Sequence, residues 1–132
     1  MWNAFLIFLG GGLGSVARWL ASGLVATRFG EAFPWGTLVV NVSGSFVIGF
    51  FAAWTGPGGR STVPPAFRQF FMLGICGGYT TFSSFSLQTL SLMQSGEWWR
   101  AGGNCILSVV LCLIGVWLGH AAALALSGGR GA

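Results

Sequence analysis

The sequence predicts an all-α integral membrane protein, and three observations carry that expectation. Among 132 residues, 54% are hydrophobic and only 6% are charged. A water-soluble domain carries about 25% charged residues. The charged residues are six arginines and two glutamates, with no lysine and no aspartate, too few to cover a soluble surface. Four long apolar runs are separated by turn-rich pieces, and a spanning helix needs about 20 mostly apolar residues. The net charge of +4 does not point to nucleic acid, because the arginines are scattered and mostly flank the apolar runs.

The first span is expected over about 3–26, ending near Thr27-Arg28-Phe29-Gly30-Glu31. No basic residue precedes its apolar run, so it is expected to be retained rather than cleaved as a signal peptide. Its glycines, Gly10-Gly11-Gly12 and Gly14, form a close-packing face. Arg18 is the only charge placed deep in a span. Such a residue must pair, reach carbonyls, snorkel or face water, so a structural anchoring or functional role is expected.

The second span, 35–54, is opened by Pro34, which suits a helix start. Thr37, Asn41, Ser45 and Gly49 recur every four residues and share one helix face. Helix packing accounts for Thr37, Ser45 and Gly49. Asn41 is open between packing and function, since an amide at membrane depth must find partners for its donors and acceptor. The linker that follows holds Gly56-Pro57-Gly58-Gly59 and Pro64-Pro65 and is not a helix interior.

The third run, 66–93, is long for one span, and the sequence predicts a break at Gly77-Gly78. From Gly77 to Ser86 it carries six hydroxyls and two phenylalanines, Phe82 and Phe85, three residues apart. Hydroxyls and a weakened helix are costly in hydrocarbon unless they line a cavity or a protein contact. A break frees backbone groups: carbonyls can hold a cation, and a half-helix N-terminus favours an anion. Phe82 and Phe85 read either as lipid-facing or core aromatics, or as rings whose electropositive edges meet a small anion. Thr81, Ser84 and the other hydroxyls can replace the water that such an anion loses.

The fourth span, 101–126, follows a connector in which Trp98 and Trp99 suit an interfacial belt. It carries Asn104, Ser108, Cys112, Gly115 and Gly119 along its length. Asn104, near the start, is expected at a vestibule or at the headgroups, with Ser108 deeper. His120 is expected at the membrane interface. Cys76, Cys105 and Cys112 read as small apolar residues; their spacing fits neither a disulfide framework nor a zinc site.

Four spans put both termini on one side, with Arg60, Arg68 and Arg130 there and Arg28 and Arg100 opposite. That ratio gives almost no positive-inside bias. Either something else sets the topology, or the chain inserts both ways and pairs as an antiparallel homodimer. No predicted span contains Asp, Glu or Lys. Proton-coupled transporters and cation pathways rely on intramembrane carboxylates. Hydroxyl and amide donors without carboxylates favour an anion as the permeant species.

These residues resemble the Fluc (CrcB) family of fluoride channels. Trp35 through Phe46 is similar to its GTLxVNxxGS motif, Gly77 through Ser86 to its GGxTTFSTF motif, and Gly14 through Trp19 to its G-x-x-x-R-W pattern. The resemblance covers essentially the whole chain. It implies an antiparallel dual-topology homodimer of four-helix subunits with two fluoride pores, in a bacterial inner membrane. It implies that Asn41, Phe82 and Phe85 line each pore, with Thr37, Ser84 and Ser108 on the polar track and Thr81 nearby. It implies a structural sodium ion at the dimer centre, held by the Gly77 and Thr80 carbonyls. Asn104 and Cys112 depart from the Tyr and Ser that some members carry. The role implied is passive export of cytoplasmic fluoride. The competing class is a small multidrug transporter, also a four-helix dual-topology dimer, but its first-span carboxylate is missing here. A structural subunit without transport is a third class. An enzyme is not expected, because no base is placed to activate a Ser, Thr or Cys.

Overall fold

The computed structural model describes residues 1–128 and is all-helical over them. Arg130, counted in the charge balance, lies outside the described residues. Helix α1 spans Trp2–Phe29, α2 spans Trp35–Trp54, and α6 spans Trp98–Leu126. Each is long and apolar enough to cross a membrane. Between α2 and α6 the third apolar run is a composite: α3 (Pro65–Gln69), a π-helical stretch (Phe70–Cys76), α4 (Gly77–Tyr79) and α5 (Phe82–Gln94). At about 1.5 Å per residue, α5 alone covers only about 20 Å, short of a hydrocarbon core of about 30 Å.

The ends follow local chemistry. Gly30, at φ 78°, turns the chain out of α1 while its N–H still donates to the Ala26 carbonyl at 2.9 Å. Arg28 in the last turn complements the negative end of the helix dipole. Pro34 precedes α2, as expected. At the other end of α2, Arg68 Nη1 donates to the Thr55 carbonyl and to Thr55 Oγ1 at 3.1 and 3.2 Å. Arg60 Nη1 donates to the Leu126 carbonyl at 3.1 Å, and its guanidinium lies 5.8 Å from the Trp54 ring. Arg60 in the linker and Arg68 in α3 therefore satisfy carbonyls that two helix ends leave open.

The connector before α6 is shorter than expected, because Trp98, Trp99 and Arg100 already belong to the helix. Both tryptophans remain exposed, Trp99 almost completely, in keeping with an interfacial position.

Two packing seams build the molecule. Helix α2 lies along α6, and α1 lies along the π-helical stretch and α4. The α1 seam is backbone on backbone. A Cβ on Gly10 would meet the Phe70 carbonyl at 2.7 Å, and one on Gly78 would collide with the Gly11 carbonyl. Large apolar side chains such as Leu13, Leu24, Leu113 and Trp117 face outward. That is the arrangement for a lipid solvent, in which small residues rather than bulky ones drive helix contact.

The break in the third run lies at Thr80-Thr81, not at Gly77-Gly78. Gly77 is regular right-handed helix (φ −64°, ψ −37°) and opens α4. Thr80 (φ −83°, ψ 157°) and Thr81 (φ −152°, ψ 107°) are extended. The glycines therefore do not supply flexibility. Gly78 instead permits close contact with α1, while two β-branched threonines, which favour extended backbone, make the turn-out.

Candidate functional site

The site is built around the break. Leaving the helix at Thr80 would strand the polar groups of Thr81 at membrane depth. Asn41, from the facing turn of α2, resolves this. Thr81 N–H donates to Asn41 Oδ1 at 2.7 Å, and Asn41 Nδ2 donates to the Thr81 carbonyl at 3.0 Å. One side-chain amide thus pairs with both polar groups of one residue, as a neighbouring strand would. The pairing also fixes which amide atom is oxygen, because the reverse orientation loses both bonds. Thr80 closes the preceding helix, its N–H and Oγ1 both donating to the Cys76 carbonyl at 3.0 and 2.9 Å. Gly44 leaves room on α2 for the Thr80 methyl group. Tyr79 Oη and Ser43 Oγ, 2.9 Å apart, add a second polar link between these elements.

Thr81 then starts the next helix. Its Oγ1 accepts the Ser84 N–H at 3.1 Å, an N-cap for α5. The positive end of the α5 dipole is therefore aimed at the break.

Two adjoining cavities meet at Thr81. The outer one, of about 880 Å³, is lined by Arg18, Thr37, Thr81, Ser84 and Gln88, with Glu31, Glu97 and Arg100 toward its rim. Glu97 and Arg100 stand 3.6 Å apart and half exposed, so their pairing contributes little. Arg18 lines this cavity, which gives the one charge expected deep in a span a polar place to reside. The inner cavity is a groove of about 560 Å³, lined by Asn41, Thr80, Thr81, Phe82, Phe85 and Ser108, and also by Gly77 and Cys112. Among the described residues, no charged side chain lines it. The two phenylalanine rings stand 5.3 Å apart and tilted by 49°.

The structure brings the expected residues together but divides them. Thr37 and Ser84 belong to the outer cavity with Arg18; Asn41, Phe82, Phe85 and Ser108 belong to the groove; Thr81 belongs to both. Phe82 is 77% exposed in the single chain, on the open side of the groove. Asn104 is 1% exposed and faces neither a vestibule nor headgroups. It donates from Nδ2 to Thr89 Oγ1 at 2.9 Å and accepts from Ser108 at 3.4 Å.

Two residues escaped the sequence reading. Thr89 is buried within that hydrogen-bonded chain. Gln88 lines the outer cavity with its Oε1 shielded and unpartnered among the described residues. The spacing of Thr81, Ser84 and Gln88 on α5, a polar stripe at i, i+3 and i+7, was the available signal.

Gly77 and Thr80 suit a small cation through their carbonyls. With the Thr81 N–H diverted to Asn41, the Gly77 carbonyl loses its regular i+4 donor, and the Thr80 carbonyl lies outside any helix. Oxygen dipoles of this kind match a hard ion. No cluster of three or more His, Cys, Asp or Glu suited to a metal occurs among the described residues.

Comparison with known proteins places the chain in a family. Residues 5–120 match the family model described as CrcB-like protein, Camphor Resistance (CrcB). A relative named "Fluoride-specific ion channel FluC" from Opitutus terrae is 62% identical over 125 residues, 95% of each chain. One of the same name from Rhodospirillum rubrum is 62% identical over 120 residues, covering 91% of this chain and 93% of that one. Another, from Methylocella silvestris, is 57% identical over 126 residues, 96% of each. The chain belongs to the CrcB family.

Proposed function

We propose that this protein is a fluoride-selective channel, working as an antiparallel homodimer of four-span subunits with one pore along each groove. The observation that carries the reading is the groove itself: two phenylalanine rings, an amide and hydroxyls, with no charged side chain along it among the described residues. Its relatives' names give the anion.

The chemistry follows from the lining. The Arg18 guanidinium in the outer cavity raises the local concentration of anions. Thr37, Ser84 and Thr81 offer hydroxyl donors in place of water as the ion moves inward. At Thr81 the positive end of the α5 dipole adds attraction without a fixed ionic charge. In the groove, the edges of Phe82 and Phe85 and the hydroxyl of Ser108 solvate a small anion weakly enough to release it. Without intramembrane carboxylates there is no proton-coupling group of the kind multidrug exporters use, so flux follows the electrochemical gradient.

The dimer has support in the open side of the groove. Phe82, Leu73 and Leu113 are strongly exposed there, and Gly77 with them. A second copy of the chain would close the groove. The composite third run supplies the fourth crossing. Sodium at the dimer centre would be held by the Gly77 and Thr80 carbonyls of both copies and would supply fixed positive charge and cohesion. A bacterial inner membrane is the expected location.

Efflux from proteoliposomes, followed with a fluoride electrode and with chloride as control, tests the reading. Fluoride is expected to leave much faster than chloride; equal rates would refute it. Phe82→Ile and Phe85→Ile are each expected to cut fluoride flux at least about tenfold, the loss of roughly one aromatic contact of 1.4 kcal/mol in the barrier. The dimer should survive on size exclusion. Wild-type flux in both variants would remove the rings from the pathway.

A further inference from the structure

Among the described residues, the one buried polar chain in the α5–α6 contact starts from a residue that the pathway itself does not use. Asn104 on α6 is 1% exposed, and Thr89 on α5 is 6% exposed. Thr89 Oγ1 donates to the Phe85 carbonyl at 2.7 Å. A carbonyl only accepts, so the Thr89 proton is committed there and its oxygen must accept. Asn104 therefore presents Nδ2 to it, at 2.9 Å. That turns Asn104 Oδ1 toward Ser108, whose hydroxyl donates to it at 3.4 Å. Each direction forces the next, and the chain runs from one groove residue, Ser108, to the backbone of another, Phe85.

Helix α5 needs such an anchor. It is short, it begins at a break, and its Leu87 and Leu90 face outward. The Asn41 clamp fixes its N-cap residue, Thr81, but not its rotation about its own axis. A tie one turn beyond Phe85 does, because Thr89 follows Phe85 by four residues on the same helix face.

We propose that Asn104 is a positioning residue for the pore: through Thr89 it sets the rotation of α5 that turns the Phe85 ring into the groove, and through Ser108 it orients the hydroxyl opposite. The proposal rests on the fluoride reading for its effect on flux, but not for the tie itself. The long 3.4 Å bond leaves the Ser108 proton free to turn to a passing anion, while the two shorter bonds hold.

The test compares Asn104→Leu, Thr89→Val, the double variant and Thr89→Ser. Two readouts are taken on the purified dimer: fluoride efflux from liposomes, and backbone amide exchange of the segment 82–94 by mass spectrometry. Asn104→Leu and Thr89→Val are each expected to slow efflux and speed exchange about tenfold, in line with one lost buried hydrogen bond. The double variant should be no worse than Asn104→Leu alone, because the Asn104–Thr89 tie is already lost there. Thr89→Ser, which keeps the hydroxyl, should match wild type. Unchanged exchange in Asn104→Leu, a double variant with multiplied effects, or a Thr89→Ser as impaired as Thr89→Val would overturn the proposal. If Asn104→Leu does not fold, the Thr89→Val and Thr89→Ser pair decides alone by the same criteria. Wild-type protein that passes no fluoride would sink the channel reading, and the exchange readout would still decide the tie.

Discussion

The two halves of this molecule are held together by different means. Along the α2–α6 seam the contacts are backbone on backbone. Gly49 lies under the Val116 carbonyl, Gly115 at 3.0 Å from the Val42 carbonyl by its would-be Cβ, and Gly119 under the Phe46 carbonyl. No side-chain hydrogen bond joins α2 to α6 among the described residues. Helix α5 is the opposite case. It packs lightly on its neighbours and is fastened at two points by asparagine amides, Asn41 at its first turn and Asn104 near its middle. The seam built from absent side chains is a scaffold that tolerates no insertion. The half built from polar ties is adjustable, and it carries the phenylalanines.

The largest effect should come from the scaffold. Gly119→Val places branched carbons where the Phe46 carbonyl already sits. It is expected to abolish recovery of folded protein from the membrane, a loss well beyond the roughly 1–3 kcal/mol of ordinary overpacking. Recovery of a normal dimer on size exclusion would mean that the seam is not rigid.

Next comes the amide at the break. Asn41→Leu leaves the N–H and carbonyl of Thr81 without partners in apolar surroundings, at about 1–3 kcal/mol for each. The expected outcome is a dimer that assembles but melts well below wild type and passes little fluoride. Asn41→Asp, when ionised, keeps the acceptor and loses the donor, so it should retain the N–H contact and still lose flux through its charge. If both variants conduct normally, the break does not depend on the clamp.

The smallest effect should be at the N-cap. Thr81→Ala removes the oxygen that accepts the Ser84 N–H, worth about 1 kcal/mol, and one hydroxyl shared by the two cavities. Thermal stability should fall slightly and fluoride flux severalfold. Thr81→Ser should restore stability by keeping the oxygen. Equal losses in Ala and Ser would shift the role from the hydroxyl to the methyl group.

The same contrast explains what could be read from the sequence. Helices α1, α2 and α6 were legible because apolar runs of spanning length leave few alternatives. The gathering of Asn41, Phe82, Phe85 and Ser108 around one groove was legible from the motif resemblance, and the α2 face from four-residue spacing. The break was misplaced by three residues. Gly77-Gly78 is a pattern that weakens isolated helix, yet here tertiary contact claims Gly78 for the approach to α1, and the Thr80-Thr81 pair with a facing Asn41 makes the turn. That decision is made across 40 residues of chain, and local propensity does not contain it. Asn104 was placed toward water because it begins a span. Its burial depends on Thr89, fifteen residues away on another helix, whose single hydroxyl looked like one of many on α5. The π-helical stretch at Phe70–Cys76 carries no sequence signature that periodicity detects.

The central claim is that a groove without charged side chains, lined by ring edges and hydroxyls, passes fluoride in preference to other halides. Planar bilayer recording of the purified dimer, with fluoride on one side and chloride on the other at equal sodium concentration, tests it most directly. The current is expected to reverse about 180 mV or more from zero for a thousandfold preference or more, at about 59 mV per decade for a single charge. A reversal near zero, or one that follows chloride, would contradict the account.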